Sequence, residues 1–189
     1  MASLFWGQAN SEPKRQFRFE LSFTSRNGNQ PGDIPVWTVK TATKPTAQIS
    51  TITHQYIDHT FNFPGRVTWQ PITVTLVDPV NPDLSYAFLD ILGAAGYKYP
   101  DTANIAKVSL SKEAFKNTIG SVIIKQLDAE GREIERWELV NPIITSIDFG
   151  GTLSYDSDEM SEVTAEITYD WAELTRSGVS SNVPASTRG

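Results

Sequence analysis

Apolar residues fall at every second position along most of this chain. In FRFELSF, Phe17, Phe19, Leu21 and Phe23 share one face, while Arg18, Glu20 and Ser22 share the other. A period of two predicts a half-buried strand over residues 17–23. VWTVK predicts a strand over 36–40, and Pro45 in the following TATKPT interrupts regular pairing because proline brings no N–H to a ladder. Residues 49–63 again read as strand, with Phe61 and Phe63 facing away from Thr60 and Asn62, and Pro64 and Gly65 closing it. PITVTLVDP places Ile72, Val74 and Leu76 on one face. SVIIKQLD and DAEGREIERWEL predict a hairpin turning at residues 129–131, and NPIITSIDFGG begins a further strand. EVTAEITYDW alternates Val163, Ala165, Ile167, Tyr169 and Trp171 against Thr164, Glu166, Thr168 and Asp170.

The period lengthens clearly once. Asn81 is placed to cap a helix, Pro82 suits its first position, and Asp83 suits the positive end of its dipole. Leu84, Ala87, Phe88, Ile91, Leu92 and Ala95 then form a helical stripe that Gly93 and Gly96 terminate. Residues 111–117 fit a second, short helix. Residues 25–33 and 151–160 carry turn and loop chemistry. The tail after Leu174 is small and polar, and is expected to be disordered or ordered by a partner. Seven or eight antiparallel strands without strand–helix alternation exclude a doubly wound sheet. The expected fold is mainly β: two packed antiparallel sheets, as a sandwich or barrel, with one flanking α-helix.

Composition narrows the chemistry. The chain has 189 residues, enough for one domain, and no cysteine. Disulfides, thiolate nucleophiles and zinc–thiolate sites are therefore excluded. No stretch of eighteen apolar residues is present, so no membrane-inserting helix is expected. The N-terminal MASLFWGQANSEPKRQ has no basic start followed by an apolar stretch, so no signal peptide is expected. Net charge is −6, unevenly spread. Between Trp137 and Thr175 there are nine carboxylates and no Lys or Arg, whereas the rest of the chain carries 13 acidic and 16 basic residues. Such asymmetry predicts one electrostatically distinct face.

The two histidines, His54 and His59, invite a metal reading. A zinc centre needs three or four ligands, and no cysteine completes the set. On one strand, residues separated by an odd number point to opposite faces unless a bulge or turn intervenes. No metal site is expected. GxSxG, GxxxxGK[ST] and GxGxxG are absent. Asp156, Asp158 and Glu159 lack the spacing and glycine of a calcium loop. With 22 carboxylates, no pair is singled out for glycoside hydrolysis. No catalytic residue, enzymatic activity or cofactor is expected. The longest basic cluster, Lys14–Arg15 with Arg18 nearby, is weak for nucleic-acid binding.

Residues 40–66 do not fit a monomer easily. This long β-rich stretch carries Ile49, Ile52, Tyr56, Ile57, Phe61 and Phe63 between two better core strands. A projecting extended arm invites pairing with another chain. Covering several hundred Å² of its apolar surface stabilises by about 25 cal/mol per Å².

The opening FRFELSF, the TATKP step, the arm ending FNFPGR, WQPITVTL, and the close WELVNPIITSIDFGG with SEVTAEITYDW together resemble the tail tube proteins of contractile-tailed bacteriophages. The resemblance runs over residues 15–171 and lies in layout and short patterns. It implies a ring-forming tail-tube fold in which six copies close into a ring by joining sheets, and rings stack inside a contractile sheath. Such a tube conducts the tape-measure protein and then genomic DNA, is bounded by baseplate and tail terminator proteins, and is a virion component assembled in host cytoplasm. Residues 17–174 would form the β domain, 40–66 a stacking arm, 1–16 a segment contacting a neighbouring subunit, and 175–189 a polar tail. The inter-ring and inter-subunit candidates are Ile49, Ile52, His54, Tyr56, Ile57, His59, Phe61 and Phe63. The acidic, polar face of the last strand, with Glu162, Thr164, Glu166, Thr168 and Asp170, is the candidate lumen lining. A wall poor in Lys and Arg gives DNA no phosphate sites, so it passes without specific binding. Tubes of phage-derived injection particles and of type VI secretion systems resemble the same layout. A monomeric carbohydrate-binding sandwich, with Trp37, Trp69 or Trp137 as a stacking platform, is the alternative of a different class.

Overall fold

A computed structural model describes residues 13–24, 34–99 and 109–176; the turn-rich stretch 25–33, the N-terminal residues 1–12 and the polar tail from 177 lie outside the described residues. Two four-stranded antiparallel sheets enclose the core. The first has the order β1 (Phe19–Thr24), β6 (Ser121–Leu127), β7 (Glu133–Val140), β10 (Trp171–Arg176). The second has the order β2 (Val39–Ala42), β5 (Ile72–Val77), β9 (Glu162–Thr168), β8 (Ile143–Asp148). A third sheet contains only β3 (Thr46–Tyr56) and β4 (His59–Gln70).

Alternation decides what is buried. Ile72, Val74 and Leu76 of β5 lie opposite Ile167, Ala165 and Val163 of β9, and all six are fully buried. They meet Leu21, Val122, Ile124 and Leu139 from the first sheet. Helix α1 (Leu84–Ala94) supplies Leu84, Phe88 and Ile91 to this core, and α2 (Lys112–Ile119) supplies Phe115 and Ile119. One core therefore joins both sheets and both helices, as the two-layer reading requires.

Several local expectations are corrected. The cap of α1 is Asp83, whose carboxylate accepts from the Tyr86 N–H at 2.9 Å, so Asn81 and Pro82 stand outside the helix. Asp78 reinforces the start by accepting from the Leu84 N–H and the Ser85 hydroxyl, each at 2.9 Å. These contacts satisfy N–H groups that a helix leaves unpaired at its first turn. Residues 36–38 form a 3₁₀ turn before β2 begins. Phe17 precedes β1 and is largely exposed, with the Arg18 guanidinium 5.4 Å from its ring centre. The final alternating run is split: β9 stops at Thr168, the chain crosses at Tyr169–Asp170, and β10 pairs with the other sheet.

Candidate assembly surfaces

Among the described residues, β3 and β4 form a hairpin that pairs only with itself, and every residue of β3 is exposed. The register sets Ile52 opposite Phe63, His54 opposite Phe61, and Tyr56 opposite His59. Directly opposed residues share a face, and so do residues two apart. These six side chains therefore line one face. The expectation that the histidines diverge is corrected: the chain reverses at Ile57–Asp58 between them, which restores their common side. Thr51, Thr53, Gln55, Thr60, Asn62 and Pro64 take the other face. The hairpin is amphipathic, with its apolar side in water. Among the described residues, no three of His, Asp or Glu are grouped to hold a metal ion.

Two local features shape this arm. Pro64 and Gly65 lie inside β4 rather than ending it, at a bulge where Ser50 stands between the pairs Ile49–Val67 and Thr51–Pro64. The Ser50 hydroxyl accepts from the Arg66 N–H at 2.9 Å. A Cβ on Gly65 would lie 2.3 Å from that hydroxyl, so the close approach needs glycine. Ile49 lies on the root side of the bulge, apart from the six-residue face. At the tip, Ile57 is 82% exposed and holds φ 53°, a left-handed conformation strained for a β-branched residue.

The root of the arm is tied down by buried groups that the sequence reading missed. Glu135 is buried and accepts from Lys14, from Lys44 Nζ at 2.7 Å and from Trp137 Nε1 at 2.6 Å. Lys44 lies just before β3, and Lys14 belongs to the segment leading into β1. Burial, and then the adjacent Lys14 ammonium, pull the Lys44 pKa down from its ordinary value. Gln126, opposite Glu135 in register, donates to the Arg15 carbonyl at 2.9 Å. The signal was present in the pattern: Glu135 shares parity with Trp137 and Leu139, so it must point inward. Trp69, near the end of β4, packs on Tyr169 at 6.0 Å between ring centres. Burial raises the Tyr169 pKa, and the Thr46 backbone beside it opposes the rise.

The outward face of the β2–β5–β9–β8 sheet carries four of the five acidic-face candidates. Glu162, Thr164, Glu166 and Thr168 alternate with the buried side of β9 and oppose Thr73, Thr75 and Val77 of β5. Lys40 reaches this face but is ion-paired with Glu162. Asp170 does not belong to it. It sits in the crossover to β10, where its carboxylate accepts from Lys112 Nζ at 2.7 Å and Asn141 Nδ2 at 2.7 Å. Those two contacts, Lys112 first, hold its pKa below the ordinary value. The outward face of the other sheet is mixed in sign, with Lys125 against Glu20 at 3.1 Å and Arg136 near Glu138 at 3.6 Å.

A long loop joins β8 to β9. It leaves Leu153, Tyr155 and Met160 exposed beside Asp156, Asp158 and Glu159. Of the three tryptophans considered as sugar platforms, only Trp37 is largely exposed, because Trp69 and Trp137 pack against the core.

No protein-family model and no curated protein matches the chain. Solved structures do. A chain of the anti-feeding prophage baseplate, in a 6-fold symmetrised reconstruction, is 14% identical over 89% of this chain and 99% of its own, with a TM-score of 0.63. A chain of the anti-feeding prophage tube-terminating cap is 15% identical over 88% of this chain and 93% of its own, at TM-score 0.58. A chain of the sheath–tube complex of the PVC extracellular contractile injection system, in its extended state, is 16% identical over 93% and 99%, at TM-score 0.55. Two packed antiparallel sheets, two helices and an outlying hairpin thus make up a fold found in chains of contractile injection particles, and this chain has that fold.

Proposed function

We propose that this chain is a structural subunit of the inner tube of a contractile particle, and acts by assembling rather than by catalysis. The exposed apolar face of the β3–β4 arm carries this reading. Ile52, Tyr56, Phe61 and Phe63 are each at least half exposed, yet they lie on one face of one hairpin. Contiguous apolar surface of this kind marks an interaction site.

In the proposed tube, six copies close a ring through the sheet edges. Among the described residues, β2 and β8 are the edge strands of the proposed lumen sheet, and a neighbour's edge would satisfy their outer N–H and C=O groups. Cyclic, head-to-tail contacts of this kind close into finite rings. Rings then stack through the arm, with residues 1–16 meeting a neighbouring subunit, inside a sheath. Ile49 and Ile57 take part at the root and tip of the arm. The hydroxyl-rich, acidic face with Glu162, Thr164, Glu166 and Thr168 lines the lumen. Among the described residues its one cation, Lys40, is already paired, so passing DNA finds little phosphate contact on it and releases few counterions there. Tape-measure protein and genomic DNA would pass in turn, between a baseplate and a terminator, in a virion tail assembled in host cytoplasm. A tube of a phage-derived injection particle is the second reading, favoured by the shared fold with anti-feeding prophage and PVC chains.

Negative-stain electron microscopy across a concentration series, with and without purified baseplate, tests the assembly. Rings with a central hole, or hollow tubes, are expected. A dispersed monomer even on baseplates would return the protein to the ligand-binding sandwich.

A further inference from the structure

The arm and the β8–β9 loop leave opposite ends of one sheet. The arm enters β5 through Pro71 at Ile72, and its other strand leaves beside Thr73, whose carbonyl accepts from the Thr43 N–H at 3.0 Å. The loop ends at Glu162, which pairs with Val77 at the far end of β5. About 17 Å of strand separates the two ends. The arm root and the loop of one chain therefore stand at opposite ends of the strands, and a second copy displaced along the strands brings an arm toward a loop.

From this geometry we infer that the apolar arm face of one copy docks on the β8–β9 loop of a copy in the next ring. The inference rests on the tube reading and names the acceptor within it. The two surfaces match in chemistry. Phe61, Phe63 and Tyr56 meet Leu153, Tyr155 and Met160, all exposed in a single copy. His54 and His59, set among the arm's apolar residues, donate N–H groups to Asp156, Asp158 or Glu159. The arm strands carry no carboxylate, Asp58 lying in the turn between them, so nothing on them repels the acidic loop. The contact is heterologous: donor and acceptor are different surfaces, so a stack presents free arms at one end and free loops at the other and can continue.

The natural absence of cysteine makes the test clean. Phe61→Cys and Tyr155→Cys are placed in the same chain, assembled, and oxidised. Tubes that yield covalent chains longer than six subunits on non-reducing electrophoresis are expected, and each single variant should yield none. Tubes without disulfides overturn the docking while leaving the conduit intact. A ladder that stops at six puts the contact within a ring, and disulfides from Phe61→Cys alone put arm against arm; both overturn it. If the double variant assembles poorly, it is co-assembled as a minority in wild-type tubes and the disulfide-linked dimer is scored, with its absence counting against the docking. Failure of the wild-type chain to assemble at all would instead sink the tube reading.

Discussion

Phe88 and Phe61 are the same residue in opposite situations. Phe88, on α1, is fully buried in the core shared by both sheets, whereas Phe61, on β4, stays half exposed on a hairpin that, among the described residues, pairs only with itself. The sandwich satisfies its apolar residues within one chain. The arm has the same kind of residues and, beyond its bulge, an unbroken register, and leaves them in water. Hydrophobic patterning thus specifies a surface to be covered without specifying what covers it. In the core the cover is the same chain; on the arm we assign it to another copy.

Substitutions on each side sharpen this contrast. Phe88→Ala should cost about 3–5 kcal/mol by deleting a fully buried ring, read as a lowered midpoint in urea unfolding. Glu135→Gln should cost about 1–3 kcal/mol, because it weakens charge-assisted hydrogen bonds from Lys14, Lys44 and Trp137 at once. Amide exchange should then rise at the arm's root around Thr46 while the β5–β9 ladder stays protected. Gly65→Ala should cost about 1–3 kcal/mol, since the new Cβ meets Ser50 and forces the bulge to shift. Its signature is a change in cross-strand contacts of β3 and β4 by NMR, with the core unaltered.

A smaller effect is expected from acid. The Asp170 pKa is depressed in the folded chain by Lys112 and Asn141, so its stabilisation is present at neutral pH and is lost as pH falls through that depressed value. Because the pair is more than a third exposed, the amount should be about 0.5 kcal/mol. Asp170→Asn should remove that part of the acid dependence of unfolding, lowering stability above pH 6 by about that amount and leaving it nearly unchanged at pH values below the depressed pKa.

Much of the sandwich was legible in the sequence because burial on one face writes a period of two. Ile72, Val74, Leu76, Val163, Ala165 and Ile167 all lie where that period puts them. The arm was legible as an unusual apolar strand, but its fold into a hairpin was not. Ile57–Asp58 carries none of the glycine or asparagine chemistry that announces a two-residue turn, so one strand was read through the reversal, and the histidines were assigned to opposite faces. The break between β9 and β10 was hidden for a related reason. Tyr169 is buried at the crossover and Trp171 continues the alternation, so the pattern runs on while the chain changes sheets. Asp170 was therefore counted on a face it does not occupy. The Glu135 cluster was concealed because a carboxylate at an inward position reads as a break in the pattern unless its lysine partners, distant in sequence, are known.

We hold the arm to be surplus to the fold and necessary for assembly. The most direct measurement compares the wild-type chain with Phe61→Asp/Phe63→Asp by sedimentation velocity and thermal unfolding in the same buffer. Unfolding free energies within about 0.5 kcal/mol of each other are expected at dilutions where both chains are monomeric, with species larger than one ring present for the wild-type chain at higher concentration and lost in the variant. A variant that assembles as the wild-type chain does, or one that unfolds along with the core, would contradict it.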